Sequence, residues 1–362
     1  MKGATSAHCW KLIGISLLAI GVNLPVAWSY LGNLATLAYA GGCGVVAWLA
    51  LRGWPRTDFW RWAALIGVVV GLGVQLFLLY YVAPEYRGHM DRDDALVLWW
   101  QRLGQGVYPY ALPTGRGNPI SVLPFQQLIA LPFIMLGNVG YVTIAAVIGI
   151  AILAWRRYTG YQQVQSLTLL LLMTAPLVSF EVAGRSDIIV NLLLFSFLVV
   201  GIEEYLRTKR GRLPGLGLLI GAVAATRFAI WPAMVVPVSS LLRDLGLRRS
   251  AFVMTGALLG FAALVGPFVI WQPATFFGYA PLGVNATKLG TEPVGQALWI
   301  AVTGVVVSVA SVHACKTGNL FLATIPVFAC VTLATWLTFG IDVSYAQLVF
   351  VPSLFSFPQR AS

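Results

Sequence analysis

Charge is what this chain has least of. Only 10% of its 362 residues are charged, with 12 acids and 3 histidines, whereas 59% are hydrophobic and the mean hydropathy is +0.82. That balance excludes a water-soluble globular domain. Cysteine is scarce too. Cys9, Cys43, Cys315 and Cys330 lie far apart without paired spacing, which argues against a disulfide framework and against a thiolate metal site. Repeats with a period of about 20–50 residues are absent, as are low-complexity linkers and nucleic-acid-binding motifs. The net charge of +11 therefore does not imply a nucleic acid partner. The Lys and Arg residues sit in short loops between apolar runs, where such residues set membrane orientation.

What the chain does contain is a succession of apolar runs of about eighteen residues or more. They thread as an all-α, polytopic transmembrane helical bundle of about 11–13 spans, forming one membrane-embedded domain over 1–362. The N-terminal run, behind Lys2 and Lys11, continues to about Tyr30 with no small-x-small cleavage site, so it reads as the first span and not as a signal peptide. In this threading, sixteen of the 23 basic residues fall on one side. The other side receives Arg87, Arg92, Arg102, Arg116, Arg185, Arg227 and Lys288. The positive-inside rule then puts both termini in the cytoplasm and a polar loop over 84–119 outside. Eight of the 12 acids share that outer side.

Two places strain the threading. The segment 120–136 is punctuated by Pro119, Pro124 and Pro132, and a full crossing there would invert everything downstream. It reads instead as a helix that dips into the outer leaflet and returns. Irregular backbone at that depth needs a protein-lined or water-filled groove. The runs 214–226 and 228–242 are also short, roughly 20 Å each against a core of about 30 Å. Arg227 lies at their junction.

The loop 84–119 is where chemistry could be housed. Asp91, Asp93 and Asp94 crowd into four positions just after an apolar run and open an aromatic segment, DRDDALVLWWQRLGQGVYPY. Helical phase predicts an amphipathic helix along the membrane interface, with Trp99 and Trp100 at headgroup depth. Two readings stand side by side: solvated loop acids offset by Arg87, Arg92 and Arg102, or a carboxylate tuned for proton transfer. His89 lies beside them. Three aspartates could offer hard oxygen ligands to Mg²⁺ or Mn²⁺. Neighbouring acids on one helix do not converge without a distant partner, however, so no metal or other cofactor is assigned.

Asp93-Asp94-Ala95, followed by Leu103, Gly106 and Pro109-Tyr110, resembles the first outer loop of GT-C glycosyltransferases. Gly184-Arg185-Ser186-Asp187-Ile188-Ile189 is similar to a motif of the bacterial mannosyltransferase-like branch, family 87. The stretch Gly221 to Arg227, with Pro232 and Pro237 after it, resembles a third motif of that branch. Two spans precede the one leading into the acidic loop here, where the family usually has one.

The resemblance implies an inverting enzyme of the bacterial plasma (inner) membrane with its site facing outward. Its donor would be a polyprenyl-phosphate-linked sugar, mannose first. Its acceptor would be a glycolipid or envelope polysaccharide. Asp93, then Asp94, then Asp91 are the candidate general bases. Arg185, Arg227 and Lys288 are candidates for the donor phosphate. Tyr108, Tyr110, Arg116, Asn118 and Asp187 are candidates for sugar contacts. Blander roles remain: Arg185 as a span-end partner of Asp187 or Glu181, Arg227 as a snorkelling cation, Lys288 as a solvated loop residue, and the Gly/Pro/Tyr loop with Tyr108, Tyr110, Arg116 and Asn118 as packing over the bundle. The rival class is a lipid-linked oligosaccharide flippase or other transporter, which would be expected to show two related halves. A subunit that only scaffolds partners would not need the aspartate cluster.

Overall fold

The computed structural model describes residues 13–14, 16–52, 57–82, 91–209, 213–287, 293–339 and 343–356. Among them every regular element is a helix. In chain order these are α1 (Leu24–Arg52), α2 (Thr57–Phe77, prolonged by a π turn Leu78–Val82), α3 (Arg92–Gly104), α4 (Pro124–Met135), α5 (Tyr141–Arg157) and α6 (Gln162–Thr174). They continue as α7 (Pro176–Ala183), α8 (Ile188–Thr208), α9 (Leu213–Ala224), α10 (Trp231–Leu245) and α11 (Leu247–Trp271). The remainder are α12 (Pro273–Gly278), α13 (Leu282–Thr287), α14 (Pro293–Thr317), α15 (Leu320–Phe339) and α16 (Gln347–Phe355).

Among the described residues six helices are long and apolar enough to cross a membrane, and α6 with α7 makes a seventh if that pair, bent by 45° at Ala175–Pro176, is one span. That is fewer than the roughly 11–13 crossings expected of the whole chain, and the reason within the described residues is length. Helices α4 and α9 have 12 residues each, which at 1.5 Å per residue is about 18 Å. Neither can bridge a core of about 30 Å alone. The predicted crossing over 214–226 is therefore a partial helix, and α4 has the length expected of a segment that dips into the membrane and returns.

Burial separates the centre from the periphery. In the apolar window of α8, 61% of residues are buried, whereas α11 and α14 each bury 17%. Helix α8 is the central post, and the bare apolar sides of α2, α11 and α14 suit acyl chains. The ends of the bundle are told apart by their contacts. At one, which we call the far end, Arg157 is ion-paired with Glu203 and its Nε donates to the Phe355 carbonyl at 3.1 Å. Lys209 pairs there with Asp244, and Tyr158 donates to the Leu354 carbonyl. At the other, the cap end, α3, α4 and α12 pack over the tips of α9 and α11.

Helices α9 and α11 run parallel and almost touch. A Cβ on Gly221 would lie 2.2 Å from the Ala257 carbonyl oxygen, and one on Gly217 would lie 2.6 Å from that of Val253. Gly256 and Gly260 face them at the same four-residue spacing, the small-residue arrangement that lets membrane helices approach closely. Backbone cannot yield as a side chain does. Gly221→Ala is expected to cost about 1–3 kcal/mol and lower the melting temperature of the detergent-solubilised protein. Gly304→Ala, in open space on α14, should leave it unchanged.

Candidate active site

The cap end carries a cluster of ionised side chains drawn from four parts of the chain. Helix α3 supplies the first two. Its acids in the first turn and Arg102 in the last complement the helix dipole, so its sequence favours this start and this end. Asp91, just before it, does not reach inward. Its Oδ2 accepts bonds from Thr114 Oγ1 at 2.5 Å and Asn118 Nδ2 at 2.8 Å, tying down the turn 114–118. Asp94 is exposed. Asp93 alone of the three turns into the protein, and its side chain is 10% exposed. The three carboxylates therefore diverge, and among the described residues no group of three or more His, Cys, Asp or Glu side chains could hold a metal ion.

The turn between α7 and α8 supplies the partners. Arg185 Nη1 lies 3.9 Å from Asp93 Oδ2. Its backbone is left-handed, with φ of 48°, a conformation that disfavours residues bearing a Cβ by roughly 1–2 kcal/mol. Gly140 makes room for it, since a Cβ there would lie 3.1 Å from Arg185 Cγ. Two residues on, Asp187 is ion-paired with Arg227, whose Nη2 reaches Ser121 Oγ at 3.4 Å. Arg92 completes the group. Its Nη1 donates to Ser186 Oγ at 2.7 Å, sits 3.6 Å from Glu181 Oε1, and its guanidinium lies 6.0 Å from the Tyr345 ring centroid.

Three guanidiniums thus meet three carboxylates. Exposure is graded across the cluster: the side chains of Asp187 and Glu181 are fully buried, those of Arg227 and Arg185 are 5% and 7% exposed, and those of Asp93 and Arg92 are 10% and 13%. The Asp93 edge is the one nearest to water. Arg227 reaches this depth because α9 is short and ends inside the cap. The Leu123 and Phe125 N–H groups donate to the Thr226 and Ala225 carbonyls, holding the start of α4 against that end.

Other residues singled out from sequence fall elsewhere. Tyr108 and Tyr110 are buried and donate to the Phe268 and Val122 carbonyls, each at 2.9 Å. Burial pushes the Tyr108 phenol up to about 12, so it stays a protonated donor. They pack the cap and do not line an open surface. Trp99 is likewise interior, 1% exposed and 5.1 Å from the Phe268 ring. This corrects the expectation of a helix with both tryptophans at headgroup depth: the face bearing Trp99 packs on protein. Asp187 serves as the counter-ion of Arg227. Arg116 is exposed at the loop tip. Lys288 and His89 lie outside the described residues.

Sequence reasoning gave Arg185 a partner in Asp187 or Glu181; Asp93 is the partner found here, and Glu181 stands against Arg92. The contributions of Ser121, Ser186, Arg92 and Tyr345 to the cluster were missed. Ser186 carried a signal, lying inside the Arg-Ser-Asp triplet, whereas nothing in the local sequence marks Tyr345.

Two outcomes follow. Asp187→Ala removes the carboxylate paired with the buried Arg227 guanidinium, at a cost of about 3–5 kcal/mol, read as a drop in melting temperature that Asp187→Ala with Arg227→Leu partly restores. Asp91→Ala releases the 114–118 turn and should speed tryptic cleavage after Arg116. Comparison with protein-family models, with curated proteins and with solved structures returned no match.

Proposed function

We propose that this chain is an integral membrane glycosyltransferase of the GT-C type. It moves one sugar, mannose as first choice, from a polyprenyl-phosphate donor to a glycolipid or envelope glycan, inverting the anomeric centre. The reading is carried by one observation: a carboxylate on a cap helix, Asp93, stands 3.9 Å from the Arg185 guanidinium at the mouth of an apolar bundle. A second arginine, Arg227, is held on the same turn by Asp187.

These groups match the demands of the reaction. An acceptor hydroxyl oxygen attacks the anomeric carbon while the bond from that carbon to the phosphate oxygen breaks. The hydroxyl proton passes to the Asp93 carboxylate. The bonding electrons leave with the phosphate oxygen, and guanidinium forks suit that growing charge. Asp93 and Arg185 engage one another before substrate arrives. The donor phosphate would take Arg185 from Asp93 and so free the carboxylate as a base only when a donor is bound. The two faces of the membrane are assigned from charge: the basic far end is cytoplasmic and the cap end extracytoplasmic.

The test uses the purified full chain, a short-chain polyprenyl-phosphate mannose and a glycolipid acceptor. Asp93→Asn should lower the transfer rate by about 100- to 10,000-fold, and Asp94→Asn by less than about tenfold. Unchanged transfer in Asp93→Asn defeats the catalytic reading. If that variant instead alters the crossing of lipid-linked sugar in proteoliposomes, a transporter takes its place.

A further inference from the structure

A second feature lies at the far end, away from the aspartate cluster. Helices α2 and α5 both pack on α6, and between them lies an open groove of about 260 Å³. Val68 and Leu72 of α2 and Ile148 and Ile152 of α5 wall it, over a floor of Leu169 and Met173. Along α2 it runs from Ala64 to Leu72, about 12 Å at the helical rise. At its far-end mouth stand Trp155 and Arg156. Trp155 also lines a second, polar hollow of about 170 Å³ with Arg61, Thr159, Gln162, Gln165 and Ser166. An apolar slot therefore opens beside a polar one, with a tryptophan shared between them.

Charge identifies the occupant. Three cations at this end are neutralised within the protein: Arg157 by Glu203, Arg207 by Glu204, Lys209 by Asp244. Arg61 and Arg156 are exposed and, among the described residues, form no ion pair. They are the two cations lining the paired hollows, and no Asp or Glu lines either one. Asp58, one turn from Arg61 on α2, is not among the lining residues. An apolar slot of about 12 Å beside arginines that form no ion pair among the described residues calls for a ligand with a hydrocarbon tail and a net negative head.

We propose that the α2–α5–α6 groove is a binding site for an anionic phospholipid, its acyl chain in the slot and its phosphate between Arg61 and Arg156. A zwitterionic lipid of equal length would fill the slot but gain less from two positive charges, each worth about fivefold in affinity near a membrane surface. The site does not depend on what the cap cluster does.

The experiment is a lipid titration of the purified full chain, read by native mass spectrometry. The probes are phosphatidylglycerol and phosphatidylcholine with identical acyl chains. Phosphatidylglycerol should bind at least tenfold more tightly. Arg61→Gln and Arg156→Gln should each weaken it about fivefold and together about 25-fold, with phosphatidylcholine unaffected. Val68→Trp, which fills the slot, should displace both lipids. The Arg61→Lys, Arg156→Lys double variant should keep the preference, separating lost charge from a disturbed fold. Equal binding of the two lipids, an unaltered preference in the double Gln variant, or displacement of phosphatidylglycerol by millimolar inorganic phosphate would each overturn the proposal.

Discussion

An ionised side chain inside an apolar bundle has to meet its opposite, and this requirement shapes the cap end. Six such groups are gathered there, and each carboxylate has an arginine beside it. Taking one ion out of water costs several kcal/mol even after relaxation, and the attraction of its partner does little more than offset that. Packed hydrocarbon would hold the same helices as well or better. The cluster is therefore not explained by stability, and a chain with so few charges has concentrated an unusual share of them in one place. The left-handed backbone of Arg185 points the same way, because strained positions collect where a side chain must be held for a task.

Pairing at the cap depends on helices that stop early. Helix α9 ends at Ala224, which leaves Arg227 inside the protein to meet Asp187. Helix α7 ends at Ala183, so the Gly-Arg-Ser-Asp turn faces α3 across the cap. The far end is built on a different plan. Helices α8 and α5 finish together there, locked by Arg157, Glu203 and the last turn of α16. One end is therefore closed by ion pairs and hydrogen bonds between helix ends, and the other is a set of partial helices around charged turns. Discontinuous helices next to polar groups are what a membrane protein uses where backbone must face something other than lipid.

Much of this was legible from sequence, within limits set by distance along the chain. Helical class and membrane embedding follow from the apolar runs, because a run of that length has few other places to go. The number of crossings did not follow. Hydropathy marks 120–136 and 214–226 as apolar, but the turns at Leu123 and Ala225 that truncate them arise from pairing between segments about a hundred residues apart. Asp93, Arg185 and Arg227 stood out as charges near the ends of apolar runs. Their actual partners did not, since Asp93 and Arg185 lie 92 positions apart and nothing local links them. Trp99 was misjudged, and Tyr108 and Tyr110 left open between sugar contact and packing, for a related reason. An aromatic beside a polar loop reads as surface, whereas here the tip of α11 brings Phe268 against all three.

The central claim is that the cap cluster is a resting state opened by a phosphate. The most direct measurement is an experimental structure of the full chain with a short-chain polyprenyl phosphate bound at saturation. The account predicts the phosphate between Arg185 and Arg227, with the Asp93 carboxylate parted from Arg185 and facing an acceptor space. A phosphate bound elsewhere, with the Asp93–Arg185 and Asp187–Arg227 pairs intact at saturation, would contradict it.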